Sequence, residues 1–170
     1  MHQSGYTASP PRPIREAEVI HEYSVDILIR SILDGPSEFK QQLGRRFAYV
    51  LGLKPGPRGT DDGVDGVGYH AGRKVYFQCR LRRTRLGKDD ARELYSDMDK
   101  HRADLGIVLA GVGYTRWFQE RLENQIVKYV VHRLTLRDIF LETPVFQETI
   151  LNLPPLRRLG NEARNLLGEG

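Results

Sequence analysis

The chain has 170 residues, of which 39% are hydrophobic and 28% are charged. This length is sufficient for one hydrophobic core and argues against two separate domains. The single cysteine, Cys79, excludes an internal disulfide, and no group of Cys and His residues has the spacing of zinc ligands. The formal net charge of +4 is compatible with a polyanionic partner, although many soluble proteins are as basic.

The hydropathy of the chain and its N-terminal segment indicate the cellular compartment of the protein. No apolar run approaches the roughly 20 residues that a membrane-spanning helix needs. The N-terminal segment also lacks the apolar stretch of a secretory signal. We therefore expect a cytoplasmic protein with no membrane partner. Residues 1–15 are expected to form a flexible arm, residues 16–150 the core domain and residues 151–170 a tail.

Two helices and a loop are predicted in the first third of the chain. Between Glu16 and Leu33 the apolar residues fit both a strand and a helix, and the length of the segment favours a helix. A break at residues 34–37 precedes a second helix, which is expected to end at Gly52. Its apolar face is predicted to consist of Phe39, Leu43, Phe47, Val50 and Leu51. Residues 54–60 are rich in proline and glycine and are predicted to form a loop.

A β-hairpin is predicted next, with strands over residues 67–69 and 74–81 and a turn over residues 70–73. Alternating side chains of the second strand point to opposite faces of the sheet. One face is predicted to carry Val75, Phe77, Cys79 and Leu81, and the other Lys74, Tyr76, Gln78 and Arg80. We expect the first face to join the core and the polar face to be available for a functional site.

Helices and strands alternate in the second half of the chain. We predict a helix containing Ala91, Leu94, Tyr95 and Met98, a strand over residues 105–110, a helix from Thr115 to about Gln125, a strand over residues 127–132 and a short helix capped by Thr135 and Asp138. Trp117 and Phe118 are both expected to be buried. This order of elements predicts an α/β fold, in which a mixed sheet is flanked by helices.

An acidic cluster, Asp61, Asp62 and Asp65, precedes the hairpin. It is not an EF-hand calcium loop, because the twelfth position of such a loop would be Gly72 and not glutamate. It is not a phosphate-binding loop either, because no Gly-Lys-Ser/Thr sequence follows. Asp61 and Asp62 are expected to be turn-forming residues that face the solvent.

Asp65 is the acidic residue best placed for chemistry. Paired residues on adjacent strands lie about 5 Å apart, so a hairpin can bring Asp65 near Gln78. A carboxylate oxygen, an amide oxygen and several waters suit magnesium, which prefers few protein ligands. This pairing predicts a divalent-metal site.

The residues Asp61-x-Gly63-Val64-Asp65-Gly66, followed by Gln78-x-Arg80, resemble the motif of the PD-(D/E)xK nuclease superfamily. The likeness is closest to the Mrr-type restriction endonucleases and extends, in element order, over residues 37–140. It implies the restriction-endonuclease-like fold. It also implies a metal-dependent DNA endonuclease of restriction or defence type that hydrolyses phosphodiester bonds.

The resemblance implies a role for each matching residue. Asp65 and Gln78 would hold Mg²⁺ or Mn²⁺, and Glu38 would be an auxiliary acid on the second predicted helix. Arg80 occupies the position of the family's lysine. Lysine can lose its proton and help to activate water, whereas a guanidinium stays charged. Arginine can still stabilise the charge of a phosphoryl transition state.

The resemblance implies that DNA is the partner, whereas the basic residues around this motif, taken alone, fit a solvated surface equally well. The expected DNA-binding residues are Arg58, Arg82, Arg83, Arg85 and Lys88. A homodimer is expected, because cutting both strands of a duplex favours two related sites. Two alternatives remain open, namely a catalytically impaired DNA-binding or assembly subunit with a nuclease fold, and a basic scaffold that binds another protein.

Overall fold

The computed structural model describes residues 16–57, 64–125 and 129–151. Its helices are α1 (Glu16–Asp34), α2 (Ser37–Val50), α3 (Lys88–Lys100), α4 (Arg116–Glu123), α5 (Leu136–Phe140) and α6 (Pro144–Leu151). Its strands are β1 (Lys54–Pro55), β2 (Gly66–His70), β3 (Arg73–Arg80), β4 (Leu105–Ala110) and β5 (Val130–Thr135). The predicted arm, most of the predicted tail, Arg58, Asp61 and Asp62 lie outside the described residues.

The five strands form one mixed sheet in the order β1-β2-β3-β4-β5. The first three strands pair antiparallel, whereas β4 pairs parallel with both β3 and β5. The parallel connections pass through α3 and α4, and right-handed crossovers between successive neighbours put both helices on the same face. The predicted α/β fold, a mixed sheet flanked by helices, is confirmed.

Each face of the sheet is covered by a separate apolar cluster. On one face, α1, α2 and α5 pack over β3 and β4 through buried residues that include Ile29, Ala48 and Leu136. On the other face, α3 and α4 pack through residues that include Leu94 and Phe118. None of the described helices combines the length and the apolarity needed to cross a membrane.

Small residues allow α2 to lie close to the sheet. A Cβ atom on Gly66 would lie 2.6 Å from the Cβ of Ala48, and one on Gly44 would lie 3.2 Å from the Cβ of Cys79. The buried residues of α2 are therefore Gly44 and Ala48. The predicted apolar face was partly wrong, because Phe39 is 45% exposed and Val50 is 66% exposed.

The hairpin of β2 and β3 is confirmed, and its turn is tighter than predicted. Ala71 and Gly72, with φ angles of 48° and 76°, form the two-residue connection, as expected for a turn that needs positive φ at both positions. The polar face of β3 is not open as expected. Tyr76 is fully buried and Gln78 is 2% exposed, because α3 covers them.

Several elements of the second half differ from the sequence prediction in detail. Strand β5 spans Val130–Thr135, later in the chain than the predicted strand, and helix α6 was not predicted. The predicted capping box of α5 is present, with the backbone N–H of Thr135 donating to Asp138 Oδ2 at 2.8 Å. Phe118 is buried as expected, but Trp117 is 52% exposed.

Candidate active site

The candidate site lies where the pairing between β2 and β3 ends. Strand β2 begins at Gly66, which pairs with Phe77, whereas β3 continues to Arg80 and pairs there with Ala110 of β4. The last residues of β3 therefore extend beyond β2 and leave an opening in the sheet. Asp65 occupies this opening, one residue before β2.

The backbone of Asp65 is fixed on both sides. Its N–H donates to the carbonyl oxygen of Phe77 at 3.0 Å, and its carbonyl oxygen accepts a hydrogen bond from the N–H of Gly56 at 2.9 Å. Glycine is required at position 56, because a Cβ there would lie 2.0 Å from the carbonyl oxygen of Val64. These contacts place the Asp65 side chain at the opening.

The carboxylate of Asp65 replaces the missing strand partner. The backbone N–H of Cys79 has no β2 residue opposite it and donates to Asp65 Oδ2 at 2.6 Å. The other oxygen faces α2, where a Cβ on Gly44 would lie 3.3 Å from Asp65 Oδ1. The absence of a side chain at Gly44 therefore leaves room for this carboxylate.

The electrostatic surroundings of Asp65 are unusual for an aspartate. Burial raises the pKa of this carboxyl from 3.8 to about 6. The hydrogen bond from Cys79 and the positive charges of Arg80 and Arg45 lower this pKa, but they offset only part of the burial effect. The site thus holds a carboxylate whose negative charge is incompletely compensated. Perturbation of this kind is typical of functional sites.

The Asp65 carboxylate faces Gly44 of α2, whereas the side chain of Gln78, which follows Phe77 on β3, points to the face covered by α3. Its side-chain Nε2 donates to Asp97 Oδ2 of α3 at 3.4 Å, and the hydroxyl of Tyr76 donates to the same oxygen at 3.3 Å. Asp97 therefore orients the Gln78 amide. Sequence reasoning missed Asp97, although its position between the buried residues Leu94 and Met98 indicates a side chain at the rim of the buried face.

Arg80 follows on the same face of β3. Its Nη2 atom forms an ion pair with Glu93 Oε2 of α3 at 2.9 Å, and both side chains are partly exposed. Glu93 and Asp97 are four residues apart and so lie on one side of the helix. Two acidic side chains of α3 thus face three alternate residues of β3, namely Tyr76, Gln78 and Arg80. Glu93 was not predicted to take part.

Arg45 of α2 is a second cation near Asp65 that the sequence did not single out. It follows Gly44, which contacts the carboxylate, and its charge lowers the pKa of Asp65. Its Nη1 atom is buried and has no hydrogen-bond partner within the described part of the chain. A buried guanidinium nitrogen without an acceptor is costly, and an anionic ligand would satisfy it.

Glu38 lies in the first turn of α2 and is exposed. It precedes Gly44, the residue of α2 nearest to Asp65, by six positions, which correspond to about 9 Å along a helix. The structure leaves its role as an auxiliary acid a prediction.

The predicted DNA-binding residues within the described ranges lie at the surface, in the β3–α3 connection and at the start of α3. Arg82 forms an ion pair with Asp90, and Arg83 forms one with Asp34. Arg85 and Lys88 are exposed. Surface ion pairs contribute little to stability, so these arginines can exchange their partners for phosphates at low cost.

The Asp65 carboxylate at the opening is compatible with a hydrated magnesium or manganese ion. Within residues 16–57, 64–125 and 129–151, no group of three or more His, Cys, Asp or Glu side chains could hold a metal. Magnesium does not require such a group, because it keeps several waters and takes few carboxylates. Asp65 offers a hard carboxylate donor whose buried charge a cation would compensate, whereas the Gln78 amide lies on the α3 face of β3 and hydrogen-bonds Asp97.

This arrangement, a carboxylate at the start of one hairpin strand and Gln-x-Arg at the end of the next in a mixed α/β sheet, defines a nuclease-type fold of the PD-(D/E)xK superfamily. The model of the family Mrr_cat, described as restriction endonuclease, matches residues 36–134, which is more than half of the chain. The chain therefore belongs to the Mrr-type restriction endonuclease family. No curated protein matches it.

Proposed function

We propose that this protein is a DNA endonuclease of restriction or defence type that depends on a divalent metal. Asp65 and Gln78 would hold Mg²⁺ or Mn²⁺ at the open end of the hairpin. The observation that supports this best is the buried Asp65 carboxylate, whose pKa is raised to about 6 beside two arginines. A cation and a phosphate together would complete the compensation of charge that the protein leaves partial.

The residues around the opening would have different roles in phosphodiester hydrolysis. When bound, the cation would polarise the phosphate and activate a water. Arg80 and Arg45 would neutralise the negative charge that grows on the phosphoryl oxygens, because a guanidinium keeps its charge at working pH. Glu93 would hold Arg80 in position, and Asp97 would fix the orientation of Gln78. Glu38 would be an auxiliary acid.

The DNA backbone would be bound by the basic residues near the same edge of the sheet. These are Arg58, Arg82, Arg83, Arg85 and Lys88. Their contacts with phosphates would be independent of sequence, so binding should weaken steeply as salt is added.

The proposal is tested by incubating the purified protein with supercoiled plasmid and Mg²⁺. We expect nicked and linear products, and we expect Asp65→Asn to reduce the rate by about 100-fold or more, as for the loss of one electrostatic stabiliser. Asp99→Asn is the matched control, because Asp99 lies at the far end of α3 from Arg80. Absence of cleavage by the wild type, or equal cleavage by Asp65→Asn, would refute the proposal.

A second candidate function is favoured by one observation, the arginine at position 80. Arginine is a poor base, so the chain would be a catalytically impaired subunit that binds DNA or assembles with other proteins. Cleavage by the wild type that Asp65→Asn abolishes would exclude this candidate.

We propose in addition that the protein acts as a homodimer in the cytoplasm. Two related sites suit the cutting of two strands. Helix α1 supports association, because it buries Val25 and Ile29 on one side and leaves Ile20 and Tyr23 62% and 67% exposed on another. Light scattering at micromolar concentration would give twice the chain mass of 19.5 kDa if the proposal holds, and the monomer mass if it does not.

A further inference from the structure

Trp117 presents a large aromatic surface that the fold does not use. Its side chain is 52% exposed, whereas its neighbour Phe118 is fully buried against α3. Trp117 is the second residue of α4, so it stands close to the point where this helix leaves the sheet. The exposed part of the indole is flat apolar surface that a stacking partner can cover.

The position of Trp117 is set by the topology of the sheet. Strands β3 and β4 run parallel and end together, where Arg80 pairs with Ala110. Asp65 lies at the same edge, because β2 runs antiparallel to β3 and Asp65 immediately precedes it. The connection from β4 starts at that edge and leads to α4, whose second residue is Trp117.

The connections after β3 and β4 are joined to each other. The N–H of Leu86 donates to the carbonyl oxygen of Gly113 at 2.9 Å, and the N–H of Thr115 donates to that of Leu86 at 2.9 Å. As a result α3 and α4 begin side by side, and the two helices pack along each other. Trp117 therefore lies at the same edge of the sheet as the start of α3, where the basic residues Arg85 and Lys88 are located.

The chemistry around the indole favours a nucleobase. The guanidinium carbon of Arg116 lies 4.1 Å from the centroid of the Trp117 ring. The first turn of α4 contains no acidic residue. A flat aromatic ring with an adjacent cation suits a base and its phosphate, because bases stack on aromatic side chains and arginine adds cation–π attraction.

A protein partner fits this surface less well. Within the described residues 73–125, Val112 is the only other large apolar side chain that is exposed. Protein interfaces need a wider apolar patch around their aromatic anchors. A single ring beside arginine is a suitable size for one base.

We propose that Trp117, together with Arg116, stacks an unpaired base of the nucleic acid that the active site engages. The substrate would therefore be single-stranded DNA, or duplex DNA with a base out of the stack, since paired bases within a helix have both faces covered. This inference rests on the proposed function in one respect, that the chain binds nucleic acid.

The experiment uses the intrinsic fluorescence of Trp117, which is the only tryptophan in the chain. The full chain in EDTA is titrated with a single-stranded thymidine oligonucleotide, an abasic strand of equal length and a fully paired duplex. Stacking quenches the fluorescence, so we expect strong quenching by the thymidine strand and little by the abasic strand or the duplex. Equal quenching by all three probes would overturn the inference.

Variants separate stacking from simple charge attraction. We expect Trp117→Ala to weaken binding of the thymidine strand by about tenfold, the scale of a lost base stack, and to leave binding of the abasic strand unchanged. Tyr69→Ala is the matched control, because Tyr69 is 70% exposed at the hairpin end of β2, away from the site. Unchanged thymidine-strand affinity in Trp117→Ala would contradict the inference.

The plasmid assay with Mg²⁺ and Asp65→Asn distinguishes failure of this inference from failure of the proposed function. Cleavage that depends on Asp65, without selective quenching, would reject the stacking role alone. Selective quenching without cleavage would retain the stacking role and reject the endonuclease.

Discussion

At the scale of single residues, a hydrogen bond and burial have opposite effects on the Asp65 carboxylate. Its carboxylate satisfies the N–H of Cys79 at the end of β3, yet burial raises its pKa from 3.8 to about 6. This difference corresponds to about 3 kcal/mol that the folded protein loses when the carboxyl ionises. A residue kept at such a cost is best explained by a ligand that needs its charge.

The free energy that the folded protein loses when Asp65 ionises should appear as a dependence of stability on pH. Because the pKa is higher in the folded state, the folded protein binds the proton more tightly, and this contribution to stability is lost as pH rises from about 4 through about 6. We expect the free energy of unfolding of Asp65→Asn to rise relative to wild type over this range, by up to about 3 kcal/mol. Denaturant unfolding in EDTA at pH 4 and pH 7.5 measures this change.

Asp99→Asn is the control for this measurement, because Asp99 is exposed and accepts a hydrogen bond from Tyr129 away from the site. A constant difference between Asp65→Asn and wild type across the pH range would show that the Asp65 carboxyl is not under strain.

Arg80 provides a second test at this scale. We expect Arg80→Lys to raise the plasmid cleavage rate about tenfold or more, because a lysine at this partly buried position can give up its proton and take part in acid–base catalysis. Initial rates with Mg²⁺ are to be compared with those of Arg73→Lys, an exposed residue at the hairpin turn. A slower Arg80→Lys enzyme would show that the charge neutralisation by the guanidinium outweighs any gain from acid–base catalysis.

At the scale of elements, the site depends on how closely α2 and β2 approach each other. Gly66 and Ala48 are in contact, and a Cβ on Gly66 would lie 2.6 Å from that of Ala48. The same approach brings Gly44 to the Asp65 carboxylate. Any displacement of α2 should therefore reach the active site.

Gly66→Ala is expected to destabilise the fold by about 1 to 3 kcal/mol, because it overpacks this contact. Ala48→Gly in the same chain should relieve the clash, so that the double variant is more stable than the sum of the two single changes predicts. Urea unfolding of the wild type, both single variants and the double variant gives the coupling energy. Strict additivity would mean that the two positions do not touch.

The sequence was sufficient for elements that have strong local signals. The hairpin, α3 and α5 follow from alternation, helical spacing and the Thr135–Asp138 capping box, and all are present. Asp65 and Arg80 could be selected because the motif spacing and the hairpin together indicate one edge of the sheet. The metal site itself and the role of Glu38 stay predictions.

Tertiary contacts determined what the sequence did not reveal. β1 is two residues long and contains Pro55, so only its pairing with β2 defines it. The bounds of β5 follow from its parallel register with β4, in which Leu105 pairs with Val130. Adjacent residues of a helix point about 100° apart. Burial of Phe118 therefore leaves the Trp117 ring exposed to solvent. The sequence alone does not indicate which of the two rings will be buried.

At the scale of the whole molecule, the topology concentrates chemistry at one edge of the sheet. Asp65, Arg80 and the start of α4 lie at this edge because β3 and β4 are parallel and β2 is antiparallel to β3. Ligands of open α/β sheets commonly bind at the carboxyl ends of parallel strands. A strand of DNA laid along this edge would contact the basic connection and the opening together.

This arrangement predicts the salt dependence of DNA binding. Arg85→Ala and Lys88→Ala should each weaken binding to all DNA sequences alike and reduce the slope of log affinity against log salt by about 1. Arg73→Ala, at the opposite end of β3, should change neither quantity. Filter binding between low and moderate salt, in EDTA, measures both. Unchanged slopes for Arg85→Ala and Lys88→Ala would indicate that DNA binds to another surface.

The proposed endonuclease activity depends most on a cation beside Asp65. A crystal soaked in Mn²⁺ and measured at the manganese absorption edge tests this directly. We predict an anomalous peak about 2.1 Å from a carboxylate oxygen of Asp65, with the amide oxygen of Gln78 in the same coordination shell, and loss of the peak in Asp65→Asn. A peak elsewhere, or none beside Asp65 at a manganese concentration that supports cleavage, would contradict the account.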